Sequence, residues 1–189
     1  MLVEVYDEFF SDSDIEKRIQ YAETAKYETH EYDGVRYKEI HPLPSDRQVV
    51  KELEYIYEGT FEGFHVLRRG HNPTGWIHAD TNCGAMAGVL YLTDHSDLTG
   101  TAFWSHHKYG QRADMTDKAQ IAEVNADAND PTKWNLVKVV KGLKNRMLVY
   151  DSQLFHSVWP RFGPADRLVQ CSFLTFHPYD EDTDSRPSN

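Results

Sequence analysis

The sequence predicts a mainly β domain flanked by helices, and three observations carry that reading. From about residue 60 the chain is a series of short aromatic and β-branched runs separated by Gly, Pro, Asn and Asp, the texture of an all-β sandwich or barrel. Before it, two segments repeat apolar residues at helical spacing. The length of 189 residues suits one domain able to bury a core without disulfides or a structural metal.

The elements follow in order. LVEVYDEFF reads as a short strand running into a cap, Ser11 or Ser13, ahead of DIEKRIQYAETAKY, where Ile15, Ile19 and Ala22 share one face. A second helix follows Pro44-Ser45-Asp46, with Val49, Leu53 and Ile56 on one side. Strands are then expected in FEGFHVLRR, GWIHAD, AMAGVLYLT, TAFWSHH, NLVKVV, NRMLVYD and RLVQCSFLTF. A polar, alanine-rich insertion from about 107 to 134 interrupts them, with one helix expected near 116–124. A connection of that length is usually a functional lid or a disordered loop. The division is therefore a single domain over 1–189: helices over 1–60, a β body over 61–178 and a frayed acidic tail over 179–189.

Composition limits the function. A formal charge of -10, with 30 acidic against 20 basic side chains, disfavours a sequence-independent grip on nucleic acid. Two cysteines, Cys83 and Cys171, are too few for a disulfide framework and read as reduced packing residues in a cytoplasmic protein. No segment reaches membrane-spanning length.

GWIHAD places His78 and Asp80 on one strand face, with Ile77 and Ala79 on the other. With 10 histidines in 189 residues, chance alone supplies about one His-x-Asp pair, and His95-Ser96-Asp97 is a second, read as a solvated turn. A third partner raises the first pair. Two histidines and a carboxylate on one face make the facial triad of non-haem Fe(II) oxygenases, and His156, between the strong strands NRMLVYD and RLVQCSFLTF, is the best candidate for the second histidine. Eleven residues on, Arg167 enters an apolar strand, an expensive placement unless it holds an anion. Arg161 is its rival for that role.

In this order His78-Ala79-Asp80, His156 and Arg167 resemble the Fe(II) and 2-oxoglutarate-dependent dioxygenases, and within them the prolyl-hydroxylase-like group. GVLYLTD resembles the group's strand with a co-substrate tyrosine, which the likeness assigns to Tyr91. GTAFW stands where the group often has a Gly-Gly-Glu-Thr-like stretch, without the second glycine and the glutamate. The resemblance covers about 61–178. It implies a double-stranded β-helix, a jelly-roll barrel, with Fe(II) on His78, Asp80 and His156 and 2-oxoglutarate held by Arg167 and Tyr91. It also implies O2-dependent decarboxylation of that acid coupled to hydroxylation of a protein side chain or a small molecule. Asp80 favours hydroxylation over halogenation, since halogenating relatives carry a small residue there.

Other readings stand beside this one. A cupin-like metal- or ligand-binding protein without turnover needs the triad but neither Arg167 nor Tyr91. Tyr91 can also be a plain core aromatic. Of His106 and His107, adjacent on a strand, at most one faces inward. Trp76, Trp104 and Trp134 read as core or rim packing. The substrate and the oligomeric state are not encoded in recognisable form.

Overall fold

The computed structural model describes residues 3–32, 35–43, 45–70, 75–80, 83–94, 99–114, 116–161 and 167–179. The turn expected at His95 and Asp97 and the acidic tail from 180 onward lie outside them.

β1 (Val3–Tyr6) leads into α1 (Asp12–Thr24), whose N-cap is Ser11: its side chain accepts from the Asp14 backbone N–H. Ile15, Ile19 and Ala22 are buried, as the periodicity predicts. A hairpin of β2 (Glu28–Tyr32) and β3 (Val35–Leu43) follows, which the sequence reading passed over although Asp33-Gly34 is a turn signal between its two runs. α2 (Arg47–Tyr57) starts at Asp46, whose carboxylate accepts from the N–H groups of Gln48 and Val49. Val49 and Leu53 are buried on it, while Ile56 is only half-buried.

The β body comprises β4 (Gly59–Gly70), β5 (Met86–Tyr91), β6 (Gly100–His106), β7 (Trp134–Lys141), β8 (Met147–Asp151), β9 (His156–Trp159) and β10 (Arg167–Pro178). Seven strands form one antiparallel sheet in the order β1-β8-β5-β10-β4-β3-β2, and three form a second, β7-β6-β9. GWIHAD, expected as a strand, pairs through a single bridge between His78 and His156.

Alternation of side chains along these strands builds two cores on the faces of the large sheet. One face carries Phe61, Leu67, Leu90, Leu168 and Leu174 against Ile15, Ile19, Val49 and Leu53 of the helices. The other presents Val89, Tyr91, Val169 and Cys171 to Phe103 and Val140 of the small sheet. A third cluster lies on the outer side of the small sheet, where the insertion packs. α3 (Lys118–Asp127) puts Val124 beside Ile77, Ala102, Trp104, Trp134 and Phe155. The helix expected near 116–124 thus runs slightly later, and its apolar side is held in place rather than frayed. Among the described residues no helix is long and apolar enough to cross a membrane.

Candidate metal centre

The single bridge at His78 joins the first half of the site to the second. His78 and His156 exchange both backbone hydrogen bonds, at 3.0 and 2.8 Å, and the Asp80 N–H donates to the Ser152 carbonyl at 2.8 Å. Ile77 and Ala79 turn the other way, into the core under the insertion. This alternation leaves the side chains of His78, Asp80 and His156 on one face, each with a ligand atom within 4.8 Å of the others'. His78 Nε2 lies 3.7 Å and His156 Nε2 3.3 Å from the two oxygens of Asp80. Ligands about 2.1 Å from a shared ion and at right angles would stand ~3.0 Å apart, so small side-chain adjustments bring all three onto one metal.

The imidazoles are oriented for that task. His78 Nδ1 is 3.1 Å from the Trp76 carbonyl and His156 Nδ1 is 2.9 Å from the Leu154 carbonyl. A carbonyl only accepts, so each Nδ1 carries a proton and Nε2 is the ring nitrogen turned toward Asp80, the one a metal would take. Trp76 stacks on His78 with ring centroids 5.3 Å apart, and Tyr150 packs edge-on against His156 at 4.8 Å. Burial, then the neighbouring His156, lowers the His78 pKa to about 4, leaving it neutral at pH 7. Burial acts to raise the Asp80 carboxyl, but His156, His78 and Arg68 together hold it below the usual carboxylate range. The donor set is two imidazole nitrogens and one carboxylate, an N2O set suited to Fe(II).

On the same inner face, at the start of β10, Arg167 is 7 % exposed. Its Nη2 reaches Thr101 Oγ1 at 3.5 Å, and its guanidinium lies 5.4 Å from the Tyr91 ring centre. Its Nε is buried with no hydrogen-bond partner among the described residues, a costly state for a cation unless an anion completes it. Tyr91, fully buried, has its hydroxyl 2.7 Å from Thr101 Oγ1. The two residues expected to grip a carboxylate therefore converge. Thr101 joins them unforeseen, because the alternation of TAFW fixes which residues share a face but not which face is inward.

The remaining candidates have other tasks. Arg161, the rival of Arg167, donates to the Gly75 and Ala128 carbonyls at 2.7 and 2.8 Å, clamping the GWIHAD segment to the end of α3. His106 is buried with its Nε2 3.1 Å from Asp127 and fastens the insertion, while His107 is exposed. Trp104 and Trp134 are core residues, and only Trp76 touches the triad. Neither Cys83 nor Cys171 is in a disulfide.

Comparison with known proteins bears on the fold that carries this geometry. The model of a family described only as of unknown function (DUF6445) matches residues 75–159, a span that holds the triad, Tyr91 and Thr101 but stops short of Arg167. A search of curated proteins finds no match. Solved structures do match. The non-haem α-ketoglutarate-dependent epimerase SnoN from nogalamycin biosynthesis aligns with a TM-score of 0.57 at 9% identity, covering 99% of this chain and 86% of that one. The fold is shared with 2-oxoglutarate-dependent enzymes. The carbocyclase SnoK from the same biosynthesis gives 0.52 at 14% identity over 95% and 84% of the two chains. Iron-bound HygX from Streptomyces hygroscopicus gives 0.51 at 12% identity over 90% and 80%. These neighbours have the jelly-roll architecture, to which the two antiparallel sheets correspond.

Proposed function

We propose that this protein is a non-haem Fe(II)- and 2-oxoglutarate-dependent dioxygenase of the prolyl-hydroxylase-like group, acting as a hydroxylase in the cytoplasm. One observation carries the reading: a facial triad and a buried, incompletely satisfied arginine share the inner face of a fold whose relatives use iron and 2-oxoglutarate. The two sheets are read as closing into a double-stranded β-helix around that face, with the whole of 1–189 as one domain.

His78, Asp80 and His156 would hold the metal, and Arg167, Tyr91 and Thr101 would hold the distal carboxylate of 2-oxoglutarate. When bound, iron and the keto acid supply oxidation of an unreactive C–H bond at the expense of O2, with succinate and CO2 released. The chain's own part is orientation. The Trp76 and Leu154 carbonyls fix both imidazole tautomers, and the apolar walls of Phe103, Tyr150 and Val169 keep water from the reacting centre. Asp80 occupies the carboxylate position, which favours hydroxyl transfer over halogenation. SnoN is an epimerase and SnoK a carbocyclase, so α-ketoglutarate dependence goes with several outcomes. Peptide side chains and small molecules are the substrate classes that suit the acidic composition.

A metal- or ligand-binding protein of the cupin kind without turnover is the alternative, and the Arg167, Tyr91 and Thr101 cluster weighs against it, since holding a metal alone needs none of the three. The test is succinate formation from 2-oxoglutarate with Fe(II) and O2. Turnover by wild type that is lost in His156→Ala supports the enzyme. Stoichiometric iron binding with no succinate under any substrate panel supports the alternative.

A further inference from the structure

Arg68 is a second cation on the inner face, and neither the triad nor the carboxylate cluster uses it. On β4 it pairs with Val169 of β10 on one side and Ile40 of β3 on the other. Directly paired residues share a face, and Val169 belongs to the core between the sheets, so Arg68 projects toward that core. Arg167 lies two residues from Val169 along β10, which makes the two arginines diagonal neighbours on one face. Tyr91 and Cys171 lie on that face as well, and Asp80 is near enough to feel the Arg68 charge.

Arg68 is half-buried, and among the described residues it makes neither an ion pair nor a hydrogen bond. Charge balance shows why that matters. With a divalent ion and the 2-oxoglutarate dianion in place, Asp80 and Arg167 bring the site to neutrality, and Arg68 leaves one positive charge over. A half-buried guanidinium of this kind is best satisfied by a planar oxyanion, which accepts two of its N–H groups at once.

We propose that Arg68 is a specificity residue that binds an oxyanion of the substrate to be oxidised, a carboxylate or a phosphate, making that substrate an acid. This rests on the dioxygenase reading and goes further by naming a substrate class and the residue that selects it.

Protein loaded anaerobically with Fe(II) and saturating 2-oxoglutarate is titrated with acetate, inorganic phosphate and, as the neutral control, acetamide. Binding is followed by calorimetry and by the shift of the chelate absorption. Wild type binds acetate or phosphate and not acetamide. Arg68→Gln binds the same anion about tenfold more weakly, Arg68→Lys falls between, and both keep the chelate. Equal anion binding by Arg68→Gln, or none by wild type, overturns the proposal while leaving the dioxygenase reading intact. Loss of 2-oxoglutarate chelation in both variants also overturns it, by assigning Arg68 to the co-substrate. Absence of any chelate in wild type removes the dioxygenase reading and this inference with it.

Discussion

Replacing Arg167 with Met is expected to lower co-substrate affinity without lowering the stability of the protein. The arginine is buried, and among the described residues its Nε lacks a partner and its hydrogen bond to Thr101 is long at 3.5 Å. Removing an unsatisfied buried donor relieves about 1–3 kcal/mol, while losing the stacking on Tyr91 costs about 1 kcal/mol. The variant should thus range from equal stability to about 2 kcal/mol more stable, a rise in Tm of up to about 6 °C for a chain of this size. Co-substrate binding loses a charge-assisted pair of about 2–3 kcal/mol, or roughly 30- to 150-fold in affinity. Thermal melting without 2-oxoglutarate and anaerobic titration with it read the two effects separately. A variant that melts well below wild type, or that binds 2-oxoglutarate within about threefold of wild type, would refute the role assigned to Arg167.

Further outcomes follow from the same geometry. Thr101→Val keeps the shape but removes the hydroxyl between Tyr91 and Arg167, and should weaken 2-oxoglutarate about three- to tenfold in the same titration. His78→Ala and His156→Ala should each abolish stoichiometric Fe(II) binding, and iron retained by either would mean that another group completes the site. Asp46 gives a pH dependence remote from the centre. Burial raises its carboxyl, but Arg18 and Gln170 outweigh that and lower the pKa to about 2. Because the folded value lies below the unfolded one near 4, this stability is fully present above about pH 4 and is lost as pH falls toward 2. Asp46→Asn keeps the cap but not the charge and should cost about 2–3 kcal/mol at pH 7. Urea melts of the two proteins should converge as pH approaches 2, and a gap that stays constant over that range would contradict the assignment.

The parts legible in the sequence are those where one strong local pattern decides. The period of Ile15, Ile19 and Ala22 and the caps at Ser11 and Asp46 set α1 and α2. The apolar runs set β5, β8 and β10. His78, Asp80 and Arg167 stand out as polar residues in segments that otherwise read as buried, His156 as the missing partner of the pair, and Tyr91 only through the resemblance of GVLYLTD. The structure brings His78, Asp80 and His156 within reach of one ion and Tyr91 and Arg167 into contact.

What escaped depends on pairing between distant strands. The sequence of the β2–β3 hairpin alternates polar residues and so reads as a loop apart from the Asp33-Gly34 turn signal. Thr101 and Arg68 are ordinary strand residues until Tyr91 and Val169 are placed opposite or beside them. The insertion looked like lid or coil because its own composition is polar. It is held instead by partners elsewhere in the chain, through Val124 against Ile77 and Phe155, and through Arg161 and His106.

The most direct test of the central claim is the visible spectrum of anaerobic wild-type protein given Fe(II) and then 2-oxoglutarate. The account predicts a chelate absorption band that appears only with both, saturates at one iron per chain, and is missing from His156→Ala. Iron bound at one per chain with no band on adding 2-oxoglutarate, or a band that persists in His156→Ala, would contradict it.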